Sequence, residues 1–340
     1  MSKIFSFIAG DIGIDLGTIN TIVYADKKGI VINEPSVVAI DINTGEIVAV
    51  GQKAWDMIGK TPSNIVSMRP LEEGVISDYE ITQAMLKYFI DKSVSGFSFL
   101  SPRVVVSIPS GITDVEKRAV EDAVLQVGAR DVLLVEESIA SAVGMGLPVY
   151  EPKGNMLVNI GGGTTEVAVI SLGGIVCSKS IFIGGDKFNS LIIDHVKDEY
   201  ELMIGYSTAE EIKLEIASAV DVEEDRVISV SGRDLVSGLP EKKDIKSKAI
   251  SKLIRDQVYE IADGIKSVLE RTPPELSADI MQNGIYLTGG SVKLKGLSQI
   301  LAEAVSMPFT VDQEPMLSAG LGTGELIKKF NEIKKSRITK

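Results

Sequence analysis

One pattern constrains this chain more than any other. A strand end, a glycine turn bearing a hydroxyl and a following hairpin occur twice. Asp15-Leu16-Gly17-Thr18-Ile19-Asn20-Thr21 leads into the β-branched run Ile22–Ala25, then a turn at Lys27-Lys28-Gly29 and a second run, Gly29–Ile32. Asn159-Ile160-Gly161-Gly162-Gly163-Thr164-Thr165 leads into Val167–Ser171, a turn at Gly173 and the run Gly173–Val176. Asp15 and Asn159 stand 144 positions apart, and the match continues through the hairpin. That continuation favours a duplicated unit over two unrelated glycine turns. We read two related α/β lobes, joined near residues 147–154, where Pro148 and Pro152 lie. A chain of 340 residues is long for one domain and natural for two.

The intervening elements agree with mixed α/β architecture. Ile81, Met85, Leu86, Phe89 and Ile90 recur at helical spacing. Arg103–Ile108 and Val132–Val135 are strand-like. Thr113 and Glu116 form a capping box opening a helix that Gly128 should stop, and Glu137–Gly144 is a helix of small residues. Charge excludes more than it selects: 35 basic and 47 acidic residues give −12, which disfavours nucleic acid as a partner. One cysteine, Cys177, excludes an internal disulfide framework, and one histidine, His195, excludes chemistry needing two. Neither is assigned a chemical role. Trp55 is read as packing or a subunit contact. No apolar run reaches the roughly 20 residues of a membrane-spanning helix. The first eleven residues lack the form of a secretory signal, so a cytoplasmic location is expected.

Glycine at a strand end lets backbone amides approach an anionic oxygen, and Thr18 or Thr164 adds a hydroxyl donor. Two such turns, one per lobe, suit a polyphosphate; each alone reads as an ordinary hairpin turn. Asp15, at the first strand end, is placed to hold Mg²⁺ through water. A third glycine site, Gly284–Ser291, ends a strand at Gly289-Gly290 before an expected helix over Val292–Ala304, and offers a flat surface to a base or ribose. In a fourth, Thr208 and Glu211 are read as a capping box, while Glu210 and Lys213 share a helix face. That pair suits a ribose and base, although the usual fate of such a pair is a solvated surface ion pair.

These stretches together resemble the actin-like ATPases and, within them, the MreB family of bacterial actins. The resemblance spans nearly the whole chain: Asp15–Thr21, Gly29–Ile40, Pro102–Arg118, Gly161–Gly174, Thr208–Glu215, Leu287–Gly290 and Gly320–Gly324. It implies four subdomains around a central cleft, one Mg·ATP and self-assembly into protofilaments. The implied first lobe is 1–146, with a small subdomain inserted at about 33–69. The second is 147–340, with one at about 184–250 and a basic tail at 328–340. Thr18, Ile19 and Asn20 match the first phosphate loop, and Gly161, Gly162, Gly163 and Thr164 the second. Glu210, Glu211, Ile212 and Lys213 match the ribose and adenine helix; Gly289, Gly290, Ser291 and Val292 match the adenosine loop. Glu137 matches the acid that positions the attacking water, although an acid at a helix start also suits the helix dipole. Two departures stand out. Asn159 replaces the usual Asp, which weakens attraction to a metal–water cluster, and Ser138 replaces a Pro. Binding with slow hydrolysis is therefore expected.

Partner surfaces are fewer. Phe97, Phe99 and Leu100 sit in a loop that either inserts into a membrane, as the family resemblance implies, or caps the core of the first lobe. Met1–Ala9 is a short amphipathic candidate. Lys334, Lys335 and Arg337 belong to a basic tail suited to anionic lipid or to a helix C-terminus. The reading is a filament-forming ATPase under the inner face of the membrane that controls cell shape, with itself, anionic membrane and other MreB-type proteins as partners. Its rivals are a nucleotide-gated scaffold with negligible hydrolysis and, on the same superfamily fold, a small-molecule kinase or a chaperone-type ATPase. The kinase lacks an evident acidic loop for a base, and the chaperone lacks a peptide-binding domain after the second lobe.

Overall fold

Runs of β-branched residues buried on both faces need cover on both sides, and here they become the central strands of two five-stranded sheets. The structure, a computed structural model, describes residues 10–72, 74–94 and 101–338. In the first sheet the strands are β1 (Ile12–Leu16), β2 (Asn20–Ala25), β3 (Gly29–Pro35), β4 (Arg103–Ile108) and β5 (Asp131–Glu136), in the order β5-β4-β1-β2-β3. β2 runs antiparallel to β1 and β3, whereas β4 runs parallel to β1 and β5. The second sheet holds β6 (Asn155–Ile160), β7 (Thr165–Ser171), β8 (Gly174–Ile181), β9 (Ile285–Thr288) and β10 (Phe309–Val311), in the order β8-β7-β6-β9-β10. β9 is parallel to both β6 and β10. Both sheets follow one plan: three successive strands side by side, then two later strands added beyond the first. The duplication read from two glycine turns extends to the whole strand order.

By contacts the chain divides into two units. One comprises residues up to Lys153, Ile170–Ile175 and the chain from Met316; the other comprises Gly154–Val169 and Val176–Pro315.

In the first unit, α1 (Tyr79–Ser93) is capped by Asp78, whose side chain accepts the Ile81 amide at 3.0 Å. It buries Met85, Leu86, Phe89 and Ile90 on one face. The capping box of α2 (Asp114–Gln126) forms as expected from Thr113 and Glu116. Gly128 follows at φ 111°, a backbone conformation glycine adopts freely. α3 (Glu137–Gly144) follows β5 directly. A small sheet of Val38–Asp41, Ile47–Val50 and Ile65–Met68, with the helix Gln52–Asp56, lies within the 33–69 interval. Val37, Ala39 and Ala54 form its core; Trp55 packs there, with the Arg69 guanidinium 5.6 Å from its ring.

In the second unit, α4 (Gly185–Tyr200) and α5 (Tyr206–Ile216) precede a three-stranded sheet of Leu202–Met203, Val227–Asp234 and Pro240–Lys246. α6 (Ser247–Leu269) buries Ile250, Ile254, Val258, Ile261, Ile265 and Val268, a helical stripe. α7 (Pro274–Asn283) and α8 (Leu297–Val305) complete the unit. Cys177 is half-buried against this core, its Sγ 3.4 Å from the Thr272 hydroxyl. His195, on α4, meets the Tyr200 ring edge-on at 5.9 Å.

The chain then returns to the first unit. α9 (Ser318–Lys328) carries Gly320, Gly322 and Gly324 and packs against α3 and β1. A Cβ on Gly322 would lie 1.7 Å from the Ala140 carbonyl oxygen, and one on Gly144 would lie 1.9 Å from that of Ser318. Two helices in backbone contact tolerate only glycine there. This crossing is why residues after 316, grouped with the second lobe on sequence, join the first unit. α10 (Phe330–Ile338) follows, with the Arg103 guanidinium 5.1 Å from the Phe330 ring and Lys334 ion-paired with Asp131.

Candidate functional site

Open α/β sheets bind ligands beyond the carboxyl ends of their parallel strands. In the first unit β1, β4 and β5 end together, with Asp15 in register with Ser107, and Glu136 with Ile108. Asp15 is 8 % exposed and accepts a 2.5 Å hydrogen bond from the Ser107 hydroxyl. Burial pushes its carboxyl up to about 6, against the opposing pull of that hydrogen bond.

The turn after β1 is held rigidly. A Cβ on Gly17 would meet the Asn20 carbonyl oxygen at 2.6 Å. Ser36 donates its hydroxyl to the Gly17 carbonyl at 2.6 Å and its amide to the Ile19 carbonyl at 2.8 Å. The Thr18 hydroxyl oxygen accepts the Gly74 amide at 2.8 Å, which leaves its own proton to donate. The Asn20 side chain is committed to Asn33 at 3.0 Å. Glu137 is the first residue of α3, one position past β5, and half-buried. Ser138 is buried, its hydroxyl 3.5 Å from that of Ser110, and the helix starts at Glu137 with no proline in its first turn.

The second unit holds a denser cluster. β6 ends in Asn159-Ile160 and runs into Gly161–Thr164, a turn closed by the Gly161 amide on the Thr164 carbonyl at 2.9 Å. The Gly161 carbonyl accepts the Gly185 amide at 3.1 Å and the Ser291 hydroxyl at 2.8 Å. The Gly162 carbonyl accepts the Asp186 amide at 2.8 Å. Among the described residues the amides of Gly162, Gly163 and Thr164 have no backbone acceptor. The loop therefore turns its carbonyls toward the start of α4 and keeps donors for an anion.

Gly185 is where these parts meet. A Cβ there would stand 3.2 Å from the Ser291 Oγ and 3.4 Å from the Lys213 Nζ; one on Gly184 would stand 2.5 Å from the Gly162 carbonyl oxygen. Lys213 pairs with Glu210 at 2.7 Å and is only 11 % exposed, so this is no solvated surface pair. Asn189 donates to the same Glu210 oxygen at 2.6 Å. Ile212 is fully buried in the core and Glu211 is exposed, so of the four matched helix residues only Glu210 and Lys213 share this cluster.

Two sequence expectations are corrected here. Thr208 and Glu211 form no capping box: α5 starts earlier, at Tyr206 after Gly205, and Thr208 lies inside it. Tyr206 donates its hydroxyl to Asp186 at 2.5 Å, which ties the first turn to α4. The helix expected over Val292–Ala304 is instead a 3₁₀ turn, Gly290–Lys293, and then α8, because Gly296 at φ 75° breaks the path. Val292 is buried. Gly289, at φ 95°, passes so close to β6 that a Cβ would lie 2.4 Å from the Asn159 Oδ1. Sequence reasoning passed over Ser36, Ser107, Gly184, Gly185 and Asn189. Only Gly184-Gly185 carried a signal, a glycine pair between a strand and a helix.

Phe97, Phe99, Leu100 and Met1–Ala9 lie outside the described residues. Lys334 is engaged by Asp131, Lys328 by Glu325 at 2.6 Å, and Lys329 stands 4.4 Å from the Tyr150 ring centre. Lys335 is exposed; Arg337 lies near the end of α10, its side chain outside the description. Among the described residues no helix is long and apolar enough to cross a membrane, and no three His, Cys, Asp or Glu side chains gather as a metal cage.

The family model for the MreB/Mbl protein matches residues 9–335. The chain belongs to the MreB/Mbl family. The cell shape-determining protein Mbl of Bacillus subtilis (strain 168) is 47 % identical over 332 residues, 97 % of this chain and 99 % of the relative. The cell shape-determining protein MreB of Escherichia coli (strain K12) is 44 % identical over 337 residues, 97 % of each chain. Crystal structures of MreB5 of Spiroplasma citri superpose with TM-scores of 0.90 bound to AMPPNP (34 % identity, 96 % of this chain and 98 % of that one) and 0.89 bound to ADP (35 %, 95 % and 98 %). A MamK double helical filament, at 21 % identity and a TM-score of 0.79, covering 93 % of this chain and 98 % of that one, shares the fold. The actin-like two-lobe α/β fold expected of the MreB/Mbl family is the fold found.

Proposed function

We propose that the chain is an ATP-binding, filament-forming bacterial actin that assembles on the inner face of the cell membrane, controls cell shape and hydrolyses ATP slowly. The observation that carries nucleotide binding is the convergence on Gly185 of a glycine loop with free amides, the start of α4, the Ser291 hydroxyl and the Glu210–Lys213 pair. Donors for phosphate and a paired acceptor and donor for a nucleoside lie within one unit. A relative of 34 % identity is bound to AMPPNP.

In this reading Gly161, Gly162, Gly163 and Thr164, with Thr18, Ile19 and Asn20, hold the phosphates. Glu210 and Lys213 take the ribose and base, and Gly289-Gly290 gives the adenosine a flat wall. Ser291 acts by holding the Gly161 carbonyl. Mg²⁺ fits Asp15 through water: a single buried carboxylate without a cage suits a cation held mainly by phosphate oxygens and water. When bound, the ion neutralises charge on the transferring phosphoryl group. Glu137 orients the attacking water and accepts its proton late. Asn159 presents a neutral amide where a carboxylate would draw the metal–water cluster, so turnover is slow. That residue also supports the second reading, a nucleotide-gated scaffold.

Self-assembly follows the filament of a fold relative, and other MreB-type proteins are partners of the same kind. Membrane attachment is assigned to Phe97, Phe99 and Leu100, with Lys335 and Arg337 assisting. Calorimetric titration with Mg·AMPPNP tests nucleotide binding: Lys213→Ala weakens affinity roughly tenfold, as loss of a charged hydrogen-bond donor does. ATP-dependent pelleting tests the filament. A wild-type protein that binds no nucleotide, or that phosphorylates a sugar, contradicts the proposal.

A further inference from the structure

We infer that Asn189 is a positioning residue for the nucleoside: it fixes Glu210 so that the second carboxylate oxygen is presented to a ribose hydroxyl. This inference rests on the nucleotide-binding reading above. Asn189 lies in the second turn of α4 and is fully buried. Its Nδ2 donates to the Glu210 Oε2 at 2.6 Å, and the Lys213 Nζ donates to that same oxygen at 2.7 Å. One oxygen of the carboxylate thus receives two donors from two helices.

The other end of the Asn189 amide is unsatisfied. Its Oδ1 is buried and has no hydrogen-bond partner. The carboxylate decides this orientation, because the reverse would set the amide oxygen against a carboxylate oxygen and leave a buried donor orphaned. A buried polar group with only half its capacity met is a poor choice for stability alone. An apolar side chain of similar volume would fill the same space without the orphan. What asparagine adds is an N–H aimed at Glu210. The Glu210 side chain is 32 % exposed, so the carboxylate whose Oε2 is held in this way remains open to a ligand.

A carboxylate oxygen accepts and does not donate, so the ligand group it selects carries a proton. A sugar hydroxyl meets that need; a deoxy position does not. Sites built to accept a substrate hydroxyl discriminate strongly against analogues lacking it, because the acceptor is then left unpaired. With Asn189 removed, Lys213 alone holds Oε2, the carboxylate turns about its own torsions, and discrimination falls.

The test is calorimetric binding of Mg·ATP, Mg·2′-deoxy-ATP and Mg·3′-deoxy-ATP to wild type, Asn189→Leu, Glu210→Ala and the double variant, with nucleotide-free melting temperatures. The expected wild type prefers ATP over at least one deoxy analogue by roughly tenfold. Asn189→Leu is expected to lose most of that preference through weaker ATP binding, to bind the disfavoured analogue as wild type does, and to melt no lower. In the Glu210→Ala background Asn189→Leu has no further effect. A variant that keeps the wild-type preference overturns the inference, as does one that weakens ATP and both analogues equally while melting lower, which marks a packing role. A wild type that binds ATP without discrimination overturns the assignment of Glu210 to the ribose, and Asn189 with it. A wild type that binds no ATP overturns the underlying nucleotide reading instead.

Discussion

Among single residues, Asp15 is the buried carboxylate whose titration can be followed. Its carboxyl is raised by burial from 3.8 to about 6. The folded chain therefore binds more protons than the unfolded chain between about pH 4 and 6, and stability falls as pH rises through that window. Asp15→Asn keeps an acceptor for Ser107 and removes the buried charge. We expect the nucleotide-free variant to exceed wild type by about 2–3 kcal/mol at pH 7.5 and to converge with it near pH 4. Melting curves across pH check this, and a constant difference would contradict it. Asn159→Asp is expected to speed steady-state phosphate release; equal rates would overturn the role proposed for Asn159. At this scale the glycine turns were legible because the same turn and the hairpin after it occur twice, which a single hairpin glycine would not have shown. The tie of Asn189 to Glu210 was not, since the residues lie on different helices and neither has a spacing that announces the other.

Elements were legible where local signals decide them and illegible where packing does. The Thr113–Glu116 capping box formed as expected, because both partners lie within one turn. The same pattern at Thr208–Glu211 did not cap a helix, because α5 begins earlier, at Tyr206 after Gly205, and Thr208 lies inside it. The glycines of α9 were visible as a motif, but their purpose is tertiary: Gly322 meets the backbone of α3, while Gly320 and Gly324 leave room for the Ile22 and Tyr24 side chains of β2. Gly322→Ala places a methyl group against the Ala140 carbonyl and is expected to cost about 3 kcal/mol, as overpacking a tight contact does. Gly205→Ala, where a Cβ meets nothing within 4 Å, serves as the tolerated control. Chemical denaturation of both variants measures the difference; similar losses would show that the α3–α9 crossing yields easily.

For the whole molecule, the duplicated plan is the main result. Two sheets with one strand order each end in a glycine turn, and each turn sits beside the carboxyl ends of parallel strands. The sequence pattern exposed the repeat because a turn and its hairpin leave a local trace. It hid the division of contacts, because α9 and α10 return to the first unit through a glycine crossing and the Arg103–Phe330 and Lys334–Asp131 contacts. The most direct measurement follows phosphate release and pelleting together, with Mg·ATP, on wild type and Glu137→Ala. Both proteins are expected to pellet on ATP addition, wild type to release phosphate slowly, and Glu137→Ala to release it at least tenfold more slowly still. Phosphate release without pelleting, or release unchanged by the loss of Glu137, would contradict the proposed function.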